Sequence, residues 1–207
     1  LFHLPLAGST FKKVYYDVPL GRVVSKFVPA DELIVPYTAT SLDDAEAVIH
    51  TVKISENELR KQQVAGFYRD VELGSPGTDT NGELTKKERE LEGTKKTGKN
   101  EDVYTLLECH VNLDLEGFED VGEDKEPTGI KLPYLVTVEE GSREVLSIRR
   151  NYAPDDTKKN KIQYFVHFKF LPGLGFYGFG LIHMIGGLSR TATAALRQLL
   201  DAGTLAN

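Results

Sequence analysis

The chain is poor in the residues that make covalent or metal staples. Its one cysteine, Cys109, excludes an internal disulfide and fits a reducing compartment. His50, His167 and His183 are scattered, and no second His or Cys group lies at metal-ligand spacing. There is no Gly-x-Ser-x-Gly elbow. No basic segment followed by an apolar block and a cleavage site opens the chain, so no signal peptide is expected. Positive charge is not in excess either. With 25 Lys and Arg against 31 Asp and Glu the net charge is −6, which argues against a protein that grips nucleic acid through its phosphates. Internal repeats are absent, and between Phe170 and Ser189 there is no Asp, Glu, Lys or Arg.

What is present suits an ordinary folded protein: 207 residues, 40% hydrophobic and 27% charged, enough for one or two domains with a real core. The sequence starts at Leu1 without a Met and stops at Asn207, which predicts a piece of a longer polypeptide. "KKVYYDV" and "RVVSKFV" read as strands around a turn at 19–21. Ser41 suggests a capped turn before a strand near 47–54, and Ser55 followed by Glu58 is a capping-box signature for a helix to about Ala65. Residues 74–102 are polar and turn-rich, an exposed excursion with at most a short helix in "ELTKKERELEG". Residues 103–170 predict an antiparallel meander: a long strand over 103–115, a hairpin around Gly141-Ser142, and a third strand at 163–170. On the first of these, Leu107, Cys109, Val111, Leu113 and Leu115 are assigned to the core face.

The most regular element is the last. From about Phe179 to Ala202 the pattern predicts one amphipathic helix, ended by Gly203. Leu181, Ile185, Leu188, Ala192, Leu196 and Leu199 share one face. His183, Arg190, Arg197 and Asp201 form a narrow stripe opposite, flanked by Gly186 and Thr193 on one side and Gly187 and Ala194 on the other. Small residues on both flanks suit a helix with a neighbour on each side, as in a ring of identical helices. The plainer expectation is a surface helix of a monomer.

Two glycine motifs invite a nucleotide reading and neither has the right context. Gly173, Gly175 and Gly178 spell GxGxxG behind a strand, but no second parallel strand with an acidic residue follows. "GTKKTGKN" (93–100) matches a phosphate loop except at Asn100, and it follows a charged run rather than a buried strand. The uncharged stretch is long enough for a bilayer, yet Pro172 and the glycines favour a strand-to-helix connection. Glu108, His110 and Asp114 share a strand face but lack supporting ligands, and the acidic run 114–126 lacks the spacing of an EF-hand loop. No catalytic, cofactor or metal site is expected.

The final 45 residues, "QYFVHFKFLPGLGFYGFGLIHMIGGLSRTATAALRQLLDAGTLAN", resemble the portal (head-to-tail connector) proteins of tailed double-stranded DNA bacteriophages, of the short-tailed kind. "QVAGFYRDVEL" (63–73) and "VTVEEGSREVLSIRRNY" (136–152) look like other stretches of that family, and the excursion 74–102 matches least well. The resemblance implies an α+β fold: an antiparallel wing subdomain over 1–178 with a short helix, a stem-like helix over 179–203, and the start of a clip at 204–207. It implies a structural, non-enzymatic subunit of a ring, usually a dodecamer, at the capsid vertex. DNA without sequence specificity would pass through it, and terminase, head-completion or tail proteins, capsid and scaffolding protein would dock on it, with no membrane involved. The location implied is the virion, and the host cytoplasm during assembly.

On that resemblance His183, Arg190, Arg197 and Asp201 would face a channel or a polar seam. Gly186, Gly187, Thr193 and Ala194 would let helices pack, and Gly173, Gly175 and Gly178 would let the chain turn from the wing into the stem. Gly173 and Gly175 are the positions at which a left-handed φ is to be looked for. A net acidic conduit is physically sensible, because strong phosphate binding would stall a sliding polyanion. The alternative from another class is a nucleotide-binding enzyme domain built on the glycine-rich loops.

Overall fold

The computed structural model describes residues 3–17, 20–74, 103–122, 124 and 126–205. The polar excursion beyond Gly74, with the short helix expected in it and the phosphate-loop-like stretch 93–100, lies outside these residues. So do positions 18–19 of the first turn and 206–207 of the clip-like end. Along the chain run α1 (His3–Ala7), β1 (Ser9–Asp17), β2 (Arg22–Val28), β3 (Leu33–Ile34), β4 (Ala47–Ser55) and α2 (Glu56–Val64). Then follow β5 (Val103–Leu113), β6 (Leu132–Glu139), β7 (Val145–Arg150), β8 (Phe165–Lys169) and α3 (Leu181–Leu205). The fold is α+β, with antiparallel sheets and a long C-terminal helix. Residues divide into two compact units, Leu1–Ala45 with Gln163–Asn207, and Glu46–Ile162.

The first unit is built on a sheet of order β2-β1-β8, antiparallel throughout. Its strands are rich in the β-branched and aromatic residues that suit a pleated surface. The β1–β2 register runs from Phe11 opposite Val28 to Asp17 opposite Arg22, and the Asp17 carboxylate accepts from the Leu20 amide at 3.1 Å to tie the turn. Phe11, Val28, Leu33, Phe165 and Phe176 are buried. β8 does not extend the meander, contrary to the sequence expectation: it pairs with β1, placing Phe11 opposite His167. Between β7 and β8 lies a turn-rich stretch in which Asp156 accepts from the amides of Lys158 and Asn160, so the chain is free to enter another sheet. Strands consecutive in sequence often pair but need not, and β7 and β8 do not.

In the second unit β4, β5, β6 and β7 lie side by side in that order, all antiparallel. Ser55 caps α2 as its sequence suggests, its hydroxyl accepting from the Glu58 amide at 3.4 Å. The core consists of Leu59 of α2 with Tyr68, Tyr104, Leu106 and Leu146, edged by Val52, Ile54, Val71 and Leu73. The face assignment of β5 is therefore reversed. Tyr104, Leu106 and His110 are the buried side, whereas Leu107, Cys109, Val111 and Leu113 are only half-buried. Both faces of β5 carry apolar residues, and α2 covers the side shared with Val52 and Ile54, which pair with Leu106 and Tyr104.

The β6–β7 hairpin forms around Gly141-Ser142 as expected, and Glu139 locks it. Its buried carboxylate accepts from the Gly141 amide at 3.0 Å and from the Ser142 amide. Burial alone would push this carboxyl up, but the bonds donated by Ser142 and Gly141 outweigh it and hold the pKa below the usual carboxylate range. Because the folded-state value is depressed, this contribution is present above the unfolded value and is lost as pH falls through the folded one. Glu139→Ala should cost about 2 kcal/mol at neutral pH. In urea unfolding the difference from the unsubstituted chain should shrink on acidification below the ordinary glutamate range; a gap independent of pH would refute the assignment.

Candidate functional site

The candidate site is the strand-to-helix connection and the helix it launches. β8 ends at Lys169, and Leu171 then pairs with Phe179 through two backbone bonds, closing a tight loop. Three glycines outside that pairing meet. A Cβ on Gly180 would lie 2.3 Å from the Leu6 carbonyl oxygen, one on Gly178 2.6 Å from that of Gly8, and one on Gly8 2.4 Å from that of Gly178. Gly8 also has φ +85°, the left-handed region. The Gly178 amide donates to the buried Ser9 hydroxyl at 2.8 Å.

The glycines thus permit close backbone contact between the N-terminal segment and the root of the helix. Neither Gly173 nor Gly175 has a positive φ. A side chain on Gly173 would crowd the Tyr177 carbonyl and the Phe179 ring, and Gly175 faces open space. Sequence reasoning missed Gly8 and Gly180. Only their partners, distant in sequence, reveal them.

α3 itself begins at Leu181, later than expected, because Phe179 is held in the bridge to Leu171. It continues through Gly203, which keeps a helical φ instead of terminating the helix. His183 sits at the third helical position, and its Nδ1 accepts from the Gly180 amide at 3.1 Å, while its ring meets the edge of Phe179. This satisfies one of the amide groups that a helix start leaves without a partner. His183 is therefore placed at the helix root, apart from the other three residues of its stripe.

Every described side chain of α3 is exposed apart from the half-buried Gly186 position. Leu188, Leu196, Leu199 and Leu200 retain 74%, 61%, 69% and 70% of their surface. An amphipathic helix normally gains its stability by burying such a stripe. On the opposite side Arg190, Arg197 and Asp201 lie along the polar stripe, with Gly186, Gly187, Thr193 and Ala194 beside them. The Thr193 hydroxyl donates back to the Ser189 carbonyl at 2.9 Å and that of Thr191 to Gly187 at 3.0 Å, so both polar groups are satisfied within the helix. A shallow groove runs between the two arginines over Gly186, Ser189, Thr193 and Ala194.

Two pairs of polar side chains of the types that catalysts use are engaged in packing. The Ser9 hydroxyl is 3.1 Å from His167 Nε2, but Ser9 is 1% exposed and no substrate could reach it. His167 packs against Phe11 and Phe176, and burial, then the charge of Lys169, lower its pKa to about 4. Glu108 contacts His50 Nδ1 at 2.8 Å, and burial followed by the Glu108 charge raises the Cys109 thiol. Among the described residues no three His, Cys, Asp or Glu side chains form a group that could hold a metal, and no helix is long and apolar enough to cross a membrane. At the start of α3, where a dinucleotide fingerprint would let pyrophosphate approach, the backbone of Leu6–Gly8 is already packed against Gly180.

No curated protein matches the chain. Residues 10–207 do match a protein family, described as phage SU10 portal protein. That span takes in the second unit, the first from Thr10 onward and the whole of the exposed helix; the chain accordingly belongs to the SU10 portal protein family, structural proteins of the phage virion.

Proposed function

We propose that the chain supplies the wing and the first stem helix of a portal subunit, with 1–178 as the wing-like part, 179–203 as the stem and 204–207 leading toward a clip. The ring, usually a dodecamer, stands at the capsid vertex. It conducts DNA without sequence specificity and offers docking surfaces to terminase, to head-completion or tail proteins, and to capsid and scaffolding protein. It has no chemistry of its own; a separate ATPase drives packaging. The observation that carries the reading is α3: twenty-five residues of amphipathic helix with its leucines uncovered, in a chain of this family.

In the ring each α3 stands beside two others. The flanks of Gly186, Gly187, Thr193 and Ala194 allow axes to approach to about 8–10 Å, and the stripe of Arg190, Arg197 and Asp201 lines the channel or the seam beside it. Gly173 and Gly178 serve the turn from wing to stem, where a side chain would meet packed neighbours, whereas Gly175 faces open space and is dispensable to it. Electron microscopy of the full-length polypeptide tests this directly. A ring with a central hole is expected, and a monodisperse monomer at all concentrations would overturn it. Calorimetry with ATP or NAD should give no binding heat; saturable binding would instead favour a nucleotide enzyme.

A further inference from the structure

The geometry points to an ion pair between neighbouring copies, Arg197 of one copy with Asp201 of the next, on parallel helices. The inference rests on the ring reading above. Arg190, Arg197 and Asp201 are the only Asp, Glu, Lys or Arg residues of α3, and none has an ion-pair partner among the described residues. Arg197 and Asp201 are one turn apart in the basic-then-acidic order, the weaker orientation for a pair within one helix.

Their positions around the axis differ by about 40° at 100° per residue. Arg197 leans toward the flank of Gly186 and Thr193, and Asp201 toward that of Gly187 and Ala194. A head-to-tail ring sets each flank against the opposite flank of the next copy, so the arginine side meets the aspartate side. A two-fold pair would set like against like. The occupant that fits is therefore a second copy in rotational, not two-fold, relation. The groove floored by Gly186, Thr193 and Ala194 lets the helices come close enough for these side chains to meet.

The test uses the full-length polypeptide with Arg197→Asp, Asp201→Arg and the double exchange, followed by native mass spectrometry and sedimentation. Each single substitution should raise the concentration for half-assembly by about tenfold or more, and the double exchange should restore it. Because the exchange also restores a pair within one helix, the decisive sample is a one-to-one mixture of the two single variants. Between alternating copies every seam regains opposite charges, so mixed rings should form where neither variant assembles alone.

If the mixture fails to rescue, or if circular dichroism shows the unassembled single variants losing helix, the pair acts within one chain and the inference is wrong. Normal assembly of all variants with impaired DNA passage would overturn it too, assigning the charges to the passing polyanion. Failure of the unsubstituted polypeptide to assemble would sink the ring reading itself, an outcome distinct from rings indifferent to these substitutions.

Discussion

Replacing Leu188 and Leu199 together by Asp is expected to abolish ring formation while leaving the folding of both compact units intact. The two side chains share one face of α3, eleven residues apart, and both are largely solvent-exposed in the single chain. Full burial of a leucine stabilises by about 1.5–3 kcal/mol, so covering two contributes about 3–6 kcal/mol per copy. A carboxylate in the same contact adds the cost of removing a charge from water. The loss should exceed two decades in assembly concentration, since about 1.4 kcal/mol is tenfold.

Because neither leucine belongs to a core in the isolated chain, the thermal unfolding of the unassembled variant should match that of the unsubstituted protein. Sedimentation and electron microscopy would read the first effect and calorimetry the second. Rings that persist would show that assembly leaves the leucine face uncovered. A variant that also unfolds would show that the face is part of a monomer core.

The second large effect is expected at the helix root. Gly180→Ala and Gly178→Ala each place a methyl group within 2.6 Å of backbone atoms, and backbone cannot swing aside as a flexible side chain can. Overpacking of this kind costs about 3 kcal/mol or more. Gly8→Ala should be at least as damaging, because its φ of +85° adds strain to the clash. Hydrogen exchange would resolve the effect by unit. Amides of β1 and β8 should lose protection by about two decades, since each 1.4 kcal/mol is a factor of ten, while those of β5 and β6 keep theirs. Gly175→Ala is the control: it faces open space and should change stability by less than about 0.5 kcal/mol. Equal behaviour of Gly175 and Gly180 variants would remove the close-approach explanation.

Several elements are legible in the sequence because the interactions that fix them are local. Ser55 and Glu58 specify a helix start within one turn, Gly141-Ser142 specifies a hairpin between two alternating runs, and the apolar period of 181–199 needs only the helix's own geometry. The stripe of Arg190, Arg197 and Asp201 follows from the same arithmetic. The wheel angle puts His183 with that stripe, but its bond to Gly180 depends on where the helix begins, and the Leu171–Phe179 bridge sets that.

The sequence by itself determined the strands and the amphipathic rod, which rest on neighbours or on periods of two and 3.6 residues; the portal resemblance, with the α+β fold it implies, rests instead on whole stretches of matching sequence. Tertiary structure alone decided that β8 joins β1, that Tyr104 and Leu106 rather than Leu107 and Cys109 face the core, and that Gly8, Gly178 and Gly180 meet. Each of these is a choice between partners far apart along the chain. A strand with apolar residues on both faces, or a glycine with no side chain to mark its neighbour, carries no local sign of which partner it will find.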